Sequence, residues 1–63
     1  MTNLKKLRQD RGLTQAEVAK LADLNLRTYQ DYEQGAKPIN RIALEKGLRL
    51  ADVLKVDVKR IME

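Results

Sequence analysis

The segment TQAEVAKLADLNLRTYQDYEQG, residues 14–35, predicts two short helices joined by a tight turn. Thr14 and Glu17 have the spacing of a capping box, in which a hydroxyl and a carboxylate satisfy free backbone N–H groups at a helix start. Asn25 is a strong N-cap for the second of these helices. Apolar residues flank each start as hydrophobic staples: Leu13 with Val18, and Leu24 with Tyr29. Two helix starts therefore lie within twelve residues of each other.

The turn between the two helices depends on Asp23, which can adopt the left-handed backbone conformation that a sharp reversal needs. Gly35 ends the second helix, because glycine adopts that conformation without steric cost. We therefore expect helices over about residues 15–22 and 26–34.

Further helices are expected on both sides of this segment. A first helix should cover about residues 3–11, with Leu4 and Leu7 facing inward and Gly12 at its end. After a loop at residues 36–38, Asn40 is expected to cap a fourth helix that ends near residue 54. Ile39 and Leu44 should form its staple, and its inward face should include Leu44, Leu48, Ala51 and Leu54. Asp57 is expected to start a short fifth helix, stapled by Val56 and Ile61. The fold class is therefore all-α.

Two positions in the fourth helix do not fit an ideal sequence. Gly47 lies inside it, where glycine costs about 1 kcal/mol relative to alanine, so either a neighbour approaches closely or the helix is soft. Lys55 follows the helix at a position where glycine would adopt the terminating conformation more easily.

Composition excludes several classes of protein. The 63 residues contain no Cys, His or Ser, so disulfides, thiolate or imidazole metal sites and the usual nucleophile–base arrangements cannot be built. We therefore expect no enzyme activity, metal, cofactor or small-molecule ligand. No apolar run approaches the ~20 residues of a membrane span, and the N-terminal residues lack the apolar region of a signal peptide. A single cytoplasmic domain is expected.

The net charge of +4 and the pI near 9.7 favour an anionic partner such as nucleic acid. The charge is uneven along the chain, since residues 1–13 carry +3, residues 14–35 carry −2 and residues 36–63 carry +3. Electrostatic attraction to an anion must therefore come mainly from the segments that flank residues 14–35.

The chain resembles the lambda-repressor-like, or Cro and Xre type, helix-turn-helix DNA-binding domains. The resemblance is carried by LKKLRQDRGLTQAEVAKLA, LNLRTYQDYEQGAKPIN and LRLADVLKVDVKRIM, and it covers nearly the whole chain. It implies a compact five-helix domain, residues 1–63, whose helices 2 and 3 form the helix-turn-helix. It also implies a sequence-specific, double-stranded-DNA-binding transcriptional regulator, most simply a repressor. Such a protein would bind a palindromic operator as a homodimer and associate with the nucleoid when bound.

By this resemblance, base-contacting residues are expected on the third helix: Leu26, Arg27, Gln30 and Asp31. Arg27 can grip guanine with two hydrogen bonds, and the alternative is a surface arginine that pairs with Asp31 one turn on. The two are compatible, because Asp31 could hold Arg27 in the base-reading rotamer or accept from a cytosine amino group itself. Gln30 can pair with adenine, and Leu26 can touch a thymine methyl or pack on a neighbouring helix or dimer mate. Tyr29 and Tyr32 match positions that pack in the core, although base stacking is the alternative.

The resemblance also implies backbone-contacting residues, namely Gln15, Asn25, Thr28, Lys37 and Arg41. Gln15, Lys37 and Arg41 each have a plain alternative as a solvated polar side chain. Arg8 and Glu33 match a structural ion pair between the first and third helices. Ile61, Met62 and Leu50 are candidates for a dimer interface, and equally for the core.

A second class of function stays open. The acidic balance of residues 14–35 also fits a protein that acts mainly through protein contacts, as an antitoxin-like partner or an adaptor. A protein partner is therefore possible in addition to DNA.

Overall fold

The computed structural model describes residues 3–62, and within them the chain forms five α-helices and no strand. The helices are α1 (Leu4–Asp10), α2 (Gln15–Leu21), α3 (Leu26–Gln34), α4 (Leu44–Leu54) and α5 (Val58–Met62), with a 3-10 turn at Ile39–Arg41. The predicted all-α class is confirmed. No helix in the described part of the chain has the length and apolar character that crossing a bilayer requires.

Every helix contributes to one apolar core. Its largest fully buried side chains are Leu4 of α1, Val18 of α2, Tyr29 of α3, Leu50 and Leu54 of α4, and Ile61 of α5. Because Leu50 and Ile61 are fully buried, they belong to the core and cannot form a dimer interface on the surface.

The starts of α2 and α3 follow the sequence pattern. The Glu17 N–H donates to Thr14 Oγ1 (3.1 Å) and the Thr14 N–H donates to Glu17 Oε1 (2.9 Å), which completes the capping box. The Asn25 side chain accepts from the Arg27 N–H (2.9 Å). Asp23, in the turn, has φ +58°, and Gly35 has φ +85° at the end of α3.

The turn is also held from outside by α4. Lys46 Nζ donates to the Asp23 carbonyl and to Asp23 Oδ2, both at 2.8 Å. The hydrogen bond and charge of Lys46 lower the pKa of the Asp23 carboxyl.

The predicted start of the fourth helix is wrong. Asn40 lies in the 3-10 turn, and α4 begins at Leu44 after Ala43, which provides no side-chain cap. The backbone is extended again at Ile42, and both Ile39 and Ile42 are buried. Because both isoleucines are buried, the helix begins only after Asn40, the residue that local capping preference selects.

The predicted inward face of α4 is wrong at two positions. Leu44 is 71% and Leu48 is 50% exposed, so the staple of Leu44 with Ile39 does not form. The buried positions are Gly47, Leu50, Ala51 and Leu54.

Gly47 is a point of close approach. A Cβ built there would lie 3.3 Å from Ile42 Cγ2 and 3.4 Å from Met62 Cε. The missing side chain therefore lets α5 and Ile42 pack against the α4 backbone.

Both ends of the link between α4 and α5 match the sequence pattern. Lys55 ends α4 in the left-handed conformation with φ +58°, the strained geometry expected there. Asp57 Oδ1 accepts from the Lys59 N–H (2.9 Å) at the start of α5.

Candidate functional site

Helix α3 separates its side chains into a packed face and an open face. Tyr29 and Glu33 are buried, and Tyr32 packs against the core, so the expected core role of the tyrosines is confirmed. The three- and four-residue spacing of a helix places the predicted base-contacting residues together on the other side. These are Leu26, Arg27, Gln30 and Asp31.

Arg27 and Asp31 form an ion pair along the open face. Arg27 Nε lies 3.3 Å from Asp31 Oδ1, the spacing of residues one turn apart. The Arg27 side chain is 84% exposed, whereas that of Asp31 is 19% exposed. The pair therefore restrains the guanidinium while leaving it accessible to a ligand.

An ion pair joins the packed face of α3 to α1. Arg8 Nε and Nη2 each donate to a different oxygen of Glu33 at 2.9 Å, so the expected ion pair is present and bidentate. Arg8 Nη1 also donates to the Leu13 carbonyl (2.9 Å). Arg8 thus connects α1, the loop before α2, and α3.

The Glu33 carboxyl is ionised despite its burial. Burial raises its pKa, but the hydrogen bonds from Arg8 and Gln15, together with the nearby Tyr29 hydroxyl, more than offset this, and the pKa lies below its usual value. Conversely, burial and then the Glu33 carboxylate raise the pKa of Tyr29. The hydrogen bond to Glu33 raises the pKa of Arg8, which already exceeds physiological pH.

Gln15 connects the buried pair to the open face of α3. Its Nε2 donates to Glu33 Oε1 (3.2 Å), and its Oε1 accepts from Gln30 Nε2 (3.1 Å). The chain Arg8–Glu33–Gln15–Gln30 therefore fixes the Gln30 amide from the core outward. Gln15 is half-buried, so its plain alternative as a fully solvated side chain does not hold.

A groove of about 410 Å³ lies beside this chain of hydrogen bonds. It is lined by Lys5, Arg8, Gln15, Glu33 and Gln34. Lys5 and Gln34 are exposed lining residues that sequence reasoning missed. Helical spacing was the available signal for Gln34, which lies four residues after Gln30, whereas only the packing of α1 on α3 identifies Lys5.

Four of the predicted backbone-contacting residues lie at the two ends of α3, whereas Gln15 is the first residue of α2. Asn25 is exposed and Thr28 half-buried near its start. Lys37 and Arg41 are exposed in the segment after its end. The Lys37 N–H donates to the Asp31 carbonyl (3.2 Å), which ties this segment to α3.

Among residues 3–62, no three Asp or Glu side chains are grouped so that they could hold a metal ion. A sequence model of the family described as helix-turn-helix matches residues 4–61 of the chain. No curated protein and no solved structure is similar enough to match.

Proposed function

Because the chain belongs to the lambda-repressor-like, Cro/Xre-type helix-turn-helix family of DNA-binding transcription regulators, we propose that it reads a specific DNA sequence with α3 in the major groove. We further propose that it acts as a repressor, bound as a homodimer to a palindromic operator. The half-sites would lie about one helical turn, ~34 Å, apart.

The observation that carries this proposal is the open face of α3. Arg27 and Gln30 present polar groups there, and each is already held by a second side chain, Asp31 and Gln15 respectively. Side chains that are restrained before binding lose less conformational entropy when they meet a ligand. This arrangement suits the reading of base edges.

Each side chain of the open face has a base that it fits. The Arg27 guanidinium can donate to guanine O6 and N7, with Asp31 holding it or accepting from a cytosine amino group. Gln30 Nε2 has a second hydrogen and its Oε1 can accept, so bidentate pairing with adenine remains open. Leu26, which is 42% exposed, offers apolar contact to a thymine methyl group.

Phosphate contacts would fix the register of α3 on the duplex without reading sequence. Gln15 lines the groove with Lys5 and Arg8, and its Nε2 has a second hydrogen to donate. Asn25 uses its Oδ1 for capping, which leaves Nδ2 as a donor. Thr28 has a hydroxyl near the same end of α3. Lys37 and Arg41 supply positive charge beyond its other end.

The test is a selection of bound sequences from random duplex DNA with the wild type, Arg27→Ala and Lys37→Ala. We expect the wild type to enrich a two-fold motif. Arg27→Ala should relax the preference at one position of each half-site, by about 1–3 kcal/mol of discrimination. Lys37→Ala should weaken binding to all sequences alike.

The control is Arg60→Ala, which removes an exposed arginine from α5 and should leave both motif and affinity unchanged. An absence of any enriched motif, together with retention on DNA that does not depend on salt, would exclude the proposal. If Arg27→Ala also left regulation of a reporter gene unchanged, the alternative function through protein contacts would be favoured. Repression itself is checked by a reporter whose promoter overlaps the selected motif.

A further inference from the structure

Two leucines on the outer side of α4 are only partly covered by the rest of the described structure. Leu44 and Leu48 are four residues apart, 71% and 50% exposed, and therefore adjacent on one side of the helix. The core-facing residues Gly47, Leu50 and Leu54 lie on another side. We call this surface the Leu44–Leu48 face.

Charged residues of opposite sign flank the Leu44–Leu48 face. Glu45 and Arg49 follow the two leucines by one residue each, and their side chains are 80% and 48% exposed. They lie 3.9 Å apart within the chain, a loose contact one turn apart. Arg49 Nη1 also lies 3.8 Å from Asp23 Oδ2 in the same chain. Exposed contacts at such distances are worth little on their own, so Glu45 and Arg49 can exchange partners.

We propose that a second copy of this chain covers the Leu44–Leu48 face, with the two α4 helices packed antiparallel about a two-fold axis. In a two-fold interface the same surface meets itself, so residue i of one copy faces residue j of the other and the reverse. An axis between residues 46 and 47 places Leu44 of each copy against Leu48 of the other. The same axis places Glu45 of each copy beside Arg49 of the other.

The charge order favours a second copy over an unrelated partner. With the same flank of α4 facing itself across the axis, every Glu45 meets an Arg49 and no like charges lie directly opposite. Each charged residue follows its leucine by one residue. The axis that best pairs the leucines and the axis that best pairs the charges therefore differ by only one residue along α4.

The interface would be small, and this sets its strength. Four leucines bury less than the ~1,200–2,000 Å² of a stable protein–protein interface, so the free protein should associate weakly. On adjacent half-sites the effective concentration of the two copies rises, and a weak contact then contributes. In this respect the inference rests on the proposed function, because the operator supplies the second copy.

The first test compares Leu44→Gln/Leu48→Gln with the control Leu21→Gln. Leu21 is also exposed, at 57%, but it lines a separate groove with Leu13 and Val53. Binding is measured on duplexes that carry one or two copies of the selected half-site. We expect the double variant to bind two half-sites at least about tenfold more weakly than the wild type, with single-half-site affinity unchanged. Leu21→Gln should match the wild type on both duplexes.

The second test uses charge exchange between copies. Glu45→Arg alone places two arginines together, and Arg49→Glu alone places two glutamates together, so each variant should bind two half-sites less cooperatively. A mixture of the two variants restores opposite charges at both contacts, although neither chain regains its own Glu45–Arg49 pair. We therefore expect the mixture, and neither variant alone, to recover the cooperativity of the wild type.

Two results would overturn the inference. One is unchanged cooperativity in Leu44→Gln/Leu48→Gln, which would mean that another protein or only solvent covers the face. The other is a mixture of charge variants that binds two half-sites no more cooperatively than either variant alone.

If instead the wild type bound no specific sequence, the proposed function would fail, and sedimentation of the free protein at up to millimolar concentration would decide the interface. If the wild type self-associates and Leu44→Gln/Leu48→Gln does not, the interface is supported. If the wild type does not self-associate, the interface is excluded.

Discussion

Glu33 is the charged residue through which α1 and α2 hold α3. Its side chain is 4% exposed, and it accepts from Arg8 and Gln15. Removing its charge leaves Arg8 without its carboxylate partner, and an uncompensated charge is costly where solvent is excluded. Arg8 retains 13% exposure, which moderates the cost.

We expect Glu33→Gln to lower the free energy of unfolding at pH 7 by about 2–3 kcal/mol. This lies between the ~0–1 kcal/mol of an exposed pair and the ~3–5 kcal/mol of a buried one. Urea denaturation followed by circular dichroism measures it. Asp31→Asn removes the acidic partner of the exposed Arg27 and should cost less than about 1 kcal/mol. Equal losses in the two variants would contradict the assigned difference in burial.

The same variant has a defined pH dependence. The pKa of Glu33 in the folded chain lies below its ordinary value of 4.5, so its ionised form stabilises the fold. That contribution is fully present above about pH 4.5 and is lost as the pH falls through the lowered folded pKa. The stability difference between wild type and Glu33→Gln should therefore stay constant from pH 7 to about pH 4.5 and shrink over the more acidic range below it. A difference that stays constant over this range would exclude Glu33 as the titrating group.

Lys55 is exposed and has a left-handed backbone, which costs a non-glycine residue about 1–2 kcal/mol. Lys55→Gly removes this strain but loses conformational entropy on folding, so we expect a net gain of up to about 1 kcal/mol in unfolding free energy. Thermal and urea denaturation measure it. Asp23→Gly makes the matched comparison, because Asp23 has the same φ but would lose the Lys46 side-chain contact. Its gain should be smaller.

At the scale of the element, α4 shows what local pattern can and cannot predict. Caps and turns depend on a few neighbouring residues, and Thr14, Asn25, Gly35 and Asp57 act as their residue types predict. The start and inward face of α4 depend on tertiary packing, which moved the helix start beyond Asn40 to bury two isoleucines. Periodicity alone could not reveal that the helix packs through a residue without a side chain.

That residue, Gly47, gives the prediction for α4. Gly47→Ala gains helix propensity of about 1 kcal/mol but crowds Ile42 and the flexible end of Met62, so we expect less than about 1 kcal/mol of net change. Gly47→Val adds two further carbons at the contact with α5 and should destabilise by about 1–3 kcal/mol. Asp52→Val, at an exposed position of the same helix, controls for the low helix propensity of valine. Similar losses for both valine variants would show that the close approach has little energetic weight.

Across the whole molecule, the candidate site combines residues that are distant in sequence. The open face of α3 could be predicted from the resemblance and from helical spacing. The hydrogen bonds that Gln15 donates to Glu33 and accepts from Gln30 could not be predicted from spacing, because they join residues 18 and 15 positions apart in sequence through the crossing of α2 and α3. Lys5 also escaped prediction because a groove is defined by packing rather than by pattern, whereas the helical spacing from Gln30 could have indicated Gln34.

The charge of the whole molecule leads to the last prediction. Residues 14–35 carry −2 and the segments on either side +3 each, so phosphate neutralisation must come largely from outside α2 and α3. Each phosphate contact contributes about 0.9 to the slope of log affinity against log salt. We expect Lys37→Ala and Arg41→Ala each to reduce that slope by about 1 on the selected duplex, with the preferred motif unchanged. Lys59→Ala, which removes an equal exposed charge from α5, should keep the wild-type slope. If all three variants changed the slope equally, attraction would come from net charge rather than from the segment after α3, and the placement of Lys37 and Arg41 on the DNA backbone would be wrong.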